Sequence, residues 1–256
     1  MILGLYQCAS PAGDIAAGLA VIDDALGKAA AAGVEMLTMP ELFLPGYNST
    51  TSTPPDGWEG VEGKVAALAA KHGVALCIGL AEYEGGTAYN SAFVYGDDGA
   101  ELARFRKIQL FGPGEQSIFA FGDKHSTFTY RGHKFGILIC YDVEFPEHTR
   151  ALARAGVQTI IVPTANMKPF INVNQITVPA RALESRLNIV YANYTGIEGD
   201  LDYVGHSAIF APDGYLLGGK GFGEGLAVAE ATDQPGENGI PLSTQFEDYR
   251  PVEPPK

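Results

Sequence analysis

Cysteine is scarce in this chain of 256 residues, with three copies at positions 8, 77 and 140. An odd number at such spacing makes no disulfide framework, and no C-x-x-C or H-E-x-x-H spacing marks a metal site. Neither metal nor cofactor is expected. Basic residues are also few, 17 Lys and Arg against 30 Asp and Glu, for a formal net charge of −13. That balance argues against nucleic acid or an anionic membrane surface as partner. No apolar run approaches the length of a membrane span, and MILGLYQCAS lacks the basic and apolar regions of a signal peptide. A reducing cytoplasm is the expected compartment. Charge of either sign makes up 18% of residues, below the typical quarter or so, which leaves surface for apolar contact with another subunit.

What is present is 46% hydrophobic residues, enough in a chain of this length for a large core. No linker or shift in composition divides it. The expectation is one domain over residues 1–256, with an extended tail from about 233 that wraps the surface or a partner subunit. Residues 2 to 8 read as a first strand and 14 to 32 as a helix stopped by Gly33. VEMLTMPE is a short apolar strand, 61 to 72 a second helix closed by Gly73, and VALCIGLAEY a buried strand. Hairpins follow, around Asp97-Asp98-Gly99, Arg131-Gly132-His133 and Pro212-Asp213-Gly214. Between them PEHTRALARAG and QITVPARALESRLN read as helices, VQTIIVPTA and NIVYANYTG as inner strands. Hairpins scattered among alternating helices and strands exclude a purely parallel sheet. Two mixed sheets packed face to face, with helices outside, satisfy the pattern.

GILICYDVEFPE, residues 136 to 147, sets Cys140 where an aliphatic run gives way to acids. Within such a run a cysteine packs as a small hydrophobe, as Cys8 and Cys77 are expected to do. At its end, Cys140 reads as a strand leaving the core and delivering a thiol to the rim. A cysteine nucleophile needs a base, oxyanion donors and exposure. Histidine is the habitual base, but His133 lies in a turn and His206 opens a distant hairpin strand. His72, His125 and His148 sit where solvated or capping histidines sit. Carboxylates offer more. Glu41 ends VEMLTMPE, where poor solvation raises a carboxyl pKa and makes a usable base near neutrality. Lys107 ends AELARFRK and can present its ammonium to an oxyanion or a thiolate. Taken singly, Glu41 reads more simply as a cap and Lys107 as a solvated strand end.

Together the segments MPELFLPGY, FRKIQLFGPGE and GILICYDVEFPE, in that order, resemble the nitrilase superfamily of carbon-nitrogen hydrolases. The resemblance runs from the first strand to GHSAIFAPDGYLLG, which is similar to that family's late hairpin. It implies an α/β fold, a four-layer α-β-β-α sandwich of two mixed sheets with outer helices, commonly dimerised through those helices. A homodimer or larger homo-oligomer is the expected assembly. By resemblance Glu41 is the general base, Lys107 the oxyanion-stabilising cation and Cys140 the nucleophile. Glu115 stands at the interval of the family's second glutamate and would position the substrate amide or the attacking water. The Tyr141 N–H would be the second oxyanion donor. Tyr47, Phe111, Glu144 and Asn166 complete the candidates for substrate contact, with plain packing as the alternative for Tyr47, Phe111 and Asn166. FGPGE is expected as a turn beside the site, and Asn193 as a structural strand-end residue. Where the family carries Glu-Asn before that strand, this chain has Glu184-Ser185, which puts one local hydrogen bond in doubt.

Nitrilases proper usually carry Trp-Glu after the cysteine. Tyr141-Asp142 resembles the amidase and carbamoylase branches and favours an amide over a nitrile. Branches acting on free carboxylates often place an arginine shortly after the nucleophile, where this chain has Val143 and Glu144. An inward Glu144 would repel a carboxylate and attract an amine; otherwise it caps the helix near Pro146. The expected reaction is hydrolysis of a carboxamide through a cysteine thioester, releasing ammonia and a carboxylic acid, on a small neutral or amine-bearing amide. Three alternatives stay open. An N-carbamoyl amine amidohydrolase would also release carbon dioxide. An acyltransferase would pass the thioester to an amine. A binding protein would keep the fold without the reaction, although base, cation and nucleophile are all present.

Overall fold

Apolar residues alternate along the early strands, and the alternation sorts them between two cores. In β1 (Ile2–Gln7), Leu3 and Leu5 join a core shared with a second sheet, while Tyr6 turns to the helices. In β2 (Met36–Thr38), Met36 and Leu37 divide the same way, as do Cys77 and Leu76 in β3 (Ala75–Glu84). Cys8 and Cys77 are both buried core residues. The helices on this face are α1 (Ile15–Ala31) and α2 (Val61–His72). Asp14 caps the first, its Oδ1 accepting the Ala17 N–H at 2.9 Å, and Gly73 closes the second in the left-handed region.

The computed structural model describes residues 1–234 and 241–252. Its first sheet continues through β4 (Thr87–Tyr95) and β5 (Glu101–Arg106), after which α3 (Gly112–Ile118) leads to the second sheet. That sheet holds β6 (Ser126–Tyr130), β7 (His133–Ile137), β8 (Thr159–Pro163) and β9 (Asn188–Ala192), with α4 (Pro146–Arg154) and α5 (Val178–Ser185) between its inner strands. Leu152 of α4 and Val178 and Ala182 of α5 pack against it. A small hairpin, β10 (Thr195–Glu198) and β11 (Leu201–Val204), stands apart before β12 (Ala208–Phe210), β13 (Leu216–Gly219) and β14 (Gly225–Glu230). The two six-stranded sheets run β14-β1-β2-β3-β4-β5 and β13-β12-β9-β8-β7-β6. Parallel pairs lie at β1–β2–β3 and β7–β8–β9, antiparallel pairs elsewhere. Helices, sheet, sheet and helices make the four layers of a mixed α/β sandwich.

Several expectations need correction. FGPGE is the first turn of α3, begun at Gly112 and Pro113, and this helix carries Glu115. His133 opens β7 rather than sitting in the turn. QITVPARALESRLN enters α5 through a π turn, Val173–Thr177, because Pro179 lacks an N–H and crowds the carbonyl four residues back. The β10–β11 hairpin and β14 were not anticipated, and β14 closes the first sheet by pairing antiparallel with β1. Of the tail, residues 235–240 and 253–256 lie outside the described residues. Its described part forms α6 (Gln245–Asp248), whose Glu247 pairs with Arg186 just after α5. Ser185 replaces the expected asparagine, and its buried Oγ has no hydrogen-bond partner among the described residues.

One contact at the mouth of the parallel strands admits no side chain. A Cβ on Gly79 would lie 2.5 Å from Glu41 Cα and 2.3 Å from Leu42 N. Gly79→Ala is expected to cost about 1–3 kcal/mol by overpacking and to lower activity with it. A denaturant midpoint and a kcat/KM both equal to wild type would show that the Glu41 segment moves aside freely.

Candidate active site

Glu41, Lys107 and Cys140 all follow the ends of strands at one rim of the sandwich, where parallel sheets place their ligands. Glu41 leaves β2 through Met39-Pro40, and the next residue, Leu42, has φ 45°. The Glu41 N–H reaches Thr164 O at 3.4 Å and the Glu41 carbonyl accepts the Tyr194 hydroxyl at 2.9 Å, so residues after β8 and β9 of the second sheet hold a segment that leaves the first. Lys107 follows β5, its N–H donating to Asn90 O at 2.8 Å. The same Asn90 donates Nδ2 to Glu41 Oε1 at 2.7 Å and thus bridges carboxylate and lysine segments. Sequence reading missed Asn90, because only strand pairing brings it there.

The carboxylates and the ammonium are buried together. Lys107 Nζ lies 2.6 Å from Glu41 Oε1 and 2.7 Å from Glu115 Oε1, with Glu41 and Lys107 both 0% exposed. Tyr47 donates its hydroxyl to Glu115 Oε1 at 2.5 Å, and the Phe111 N–H donates to Glu115 Oε2 at 2.9 Å. An ammonium has three donors; two are committed here. Burial disfavours the Lys107 charge, yet Glu115 and Glu41 outweigh it and hold the pKa above the usual lysine range. Burial pushes Glu41 up, and Lys107 opposes that rise. Glu41 Oε2 is buried with no partner among the described residues. It is the acceptor left open for a proton.

β7 stops at Ile137, so the thiol is not delivered by a strand end. Cys140 begins a 3-10 turn, Cys140–Glu144, with φ 45°. A non-glycine residue there costs on the order of 1–3 kcal/mol and is held only by its surroundings. Asp142 supplies the hold. Its Oδ2 accepts the Ile139 N–H at 3.0 Å and its Oδ1 the Gln109 N–H at 2.7 Å, tying the cysteine turn to the segment after Lys107. Burial pushes Asp142 up to about 7 against Lys107 and these two amides. Burial also raises the Cys140 thiol, and Glu41 adds to the rise, while Lys107, Thr164 and the Ala165 amide oppose it. The resting thiol is therefore protonated. No hydrogen bond from the Tyr141 N–H is found among the described residues. His133 pairs with Thr159 Oγ1 at 2.8 Å, and His206 sets its ring edge to Phe222; among the described residues no histidine partners the thiol.

The remaining candidates separate. Tyr47, Phe111 and Glu115 line a cavity of about 500 Å³ whose wall does not include Glu41, Lys107 or Cys140; it borders them through Glu115, which holds Lys107. The Tyr141 ring packs edge-on against Phe111, with centroids 5.3 Å apart. Asn166 does not line that cavity: its Nδ2 is spent on Phe170 O at 3.0 Å and Asn174 Oδ1 at 2.6 Å, so it holds the Phe170 segment in place. Asn193 supports it, Oδ1 accepting the Asn166 N–H at 2.8 Å. Glu144 does not line the cavity either, and no side-chain cap of α4 is made by it. Burial raises its carboxyl, opposed first by Arg181, whose Nη2 donates to Glu144 O at 2.7 Å.

Residues 2–234 match the carbon-nitrogen hydrolase family. A Pseudomonas protegens protein described as a hydrolase in the pqqF 5' region is 37% identical, over 98% of this chain and 90% of its own. An (R)-stereoselective amidase of Pseudomonas sp. is 34% identical, over 90% of this chain and 84% of its own. A solved structure of the amidase from Nesterenkonia sp. AN1, a cysteine-to-alanine mutant in complex with butyramide, matches with a TM-score of 0.88. It is 31% identical and covers 98% of this chain and 94% of that one. The chain belongs to the carbon-nitrogen hydrolase family, within the nitrilase superfamily, and is of its amidase type.

Proposed function

We propose that the protein hydrolyses a neutral carboxamide through a thioester on Cys140, with Glu41 as general base. The observation that supports this most is the unpartnered Oε2 of Glu41, buried near a thiol that burial keeps protonated. A protonated thiol is a poor nucleophile and needs a base at the moment of attack. Cys140 Sγ attacks the amide carbon as its proton passes to Glu41. The oxyanion takes the third Nζ–H of Lys107 and the Tyr141 N–H, donors typically worth about 3–4 kcal/mol. Glu41 returns the proton to nitrogen, the C–N bond breaks, and ammonia leaves a thioester. Water, activated by Glu41, then cleaves the thioester and restores the thiol. Glu115 serves by position: with three donors fixed on it, it aligns Lys107 and borders the space for amide nitrogen or water.

The substrate reading follows from charge. Among the described residues Glu115 is the sole charged side chain lining the cavity, and no cation is available for a free carboxylate. Ammonia release from neutral amides, with an acyl-enzyme caught by rapid denaturation and mass spectrometry, tests the proposal. Carbon dioxide released alongside ammonia from N-carbamoyl amines, with simple amides inert, would replace it by the carbamoyl reading.

The protonation states set a pH dependence. Protonated Glu41 cannot accept the thiol proton, and burial raises its pKa. The acid limb of kcat/KM is expected above the ordinary glutamate value of about 4.3. Alkylation of Cys140 by iodoacetamide should climb toward alkaline pH, since burial raises the thiol. An alkylation rate already at its plateau at pH 7 would contradict a neutral resting thiol.

A further inference from the structure

The cavity beside Glu115 is larger and more apolar than a short amide requires. It measures about 500 Å³, and its walls include Phe111, Ile118, Phe119, Met167, Phe170 and Leu201. An apolar cavity of about 150 Å³ already holds benzene. The walls come from four separate segments and are fixed from behind. Phe119 is buried with Leu42 and Leu110 in a small core of its own, against which Tyr47 and Ile118 also pack. Phe170, at the mouth, is 40% exposed. Its position is set by Asn166 Nδ2 on its carbonyl and by its own N–H on Met167 O at 2.9 Å. From Phe170 an aromatic path leads inward: its ring meets Phe111 edge-on at 5.7 Å, and Phe111 meets Tyr141, the residue after Cys140, at 5.3 Å.

The one charged wall residue is already engaged by groups of the protein itself. Glu115 receives Lys107, the Tyr47 hydroxyl and the Phe111 N–H, three of the about four acceptor sites of a carboxylate, so a substrate ammonium would have to compete with Lys107 for it. Glu144 lies outside the cavity wall under the influence of Arg181. We infer that the acyl part of the substrate is a bulky, uncharged apolar group, of arylacetyl or branched aliphatic size, seated between Phe111, Phe119 and Phe170. This rests on the amidase reading of the site and narrows it: the amine-bearing option drops out. The carbonyl then lies on the Glu115 side, toward Lys107, and the apolar group extends toward the partly exposed Phe170.

Burial of apolar surface sets the scale. Each methylene buried is expected to raise kcat/KM roughly fourfold, so the series acetamide, butyramide, hexanamide, phenylacetamide should rise steeply, by on the order of 10²-fold from first to last. Glycinamide and succinamic acid should fall below butyramide. Phe170→Ala should lower kcat/KM for phenylacetamide about tenfold more than for acetamide. A flat or falling series with turnover that still depends on Cys140 overturns the inference and leaves the amidase reading standing. The same follows if glycinamide or succinamic acid proves best. Calorimetry on Cys140→Ala tests the cavity without turnover: phenylacetamide should bind at least about tenfold tighter than acetamide, with a negative heat-capacity change. Equal binding overturns the inference. No turnover of any amide by wild type, with that preference intact, removes the amidase reading and keeps the cavity assignment.

Discussion

Cys140→Ala is expected to abolish ammonia release from every amide the wild type accepts, by on the order of 10⁴-fold or more. Loss of the nucleophile in a coupled catalytic unit removes the covalent route altogether, and the remaining groups cannot act on it one by one. Stability should change little. Alanine tolerates the backbone at φ 45° no worse than cysteine does, and Asp142, which ties down the turn, is untouched. The check is a stopped ammonia assay on both proteins beside a thermal melt. A variant that keeps more than a tenth of the activity, with the wild-type melting temperature, would sink the thioester mechanism.

Lys107→Met should do two kinds of damage. It removes an oxyanion donor, and it leaves Glu41 and Glu115 without the cation that both approach within 2.7 Å. Breaking a buried ion pair from one side costs about 3–5 kcal/mol, because the surviving charge is left desolvated. For a protein of this size that is a fall of about 10 °C in melting temperature. The sign of the pH dependence is set by Glu41. With Lys107 gone, only the Asn90 amide still opposes burial, and the folded-state pKa rises further above its unfolded value. The folded state then holds a proton that the unfolded chain has released, so stability falls as pH rises through that interval. The deficit should be larger at pH 8 than at pH 5. Melts across that range, with a deficit independent of pH, would show that Glu41 does not sense the cation.

The sequence by itself determined what is local or ordered along the chain. Gly33 and Gly73 marked helix ends, and the turns at Asp97-Asp98-Gly99 and Pro212-Asp213-Gly214 marked hairpins. Three motifs in order carried the family and named Glu41, Lys107 and Cys140. Each of those signals lies within a few residues, where capping, periodicity and turn chemistry act. Only the tertiary structure decided the rest. Asn90 reaches Glu41 because β4 lies beside β3, the neighbour of β2, and no spacing in the chain displays that order. Asp142 looked like a branch marker until its two oxygens met Ile139 and Gln109. Asn166 looked like a substrate ligand until Phe170 and Asn174 consumed its amide. β14 found its place beside β1 across most of the chain's length. The cavity wall is gathered from residues 47, 111–119, 167–170 and 201, segments that only packing brings together. Which oxygen of Glu41 stays open, and how far burial shifts its proton, depend on desolvation and on distances of a few ångströms, and the order of residues does not contain those.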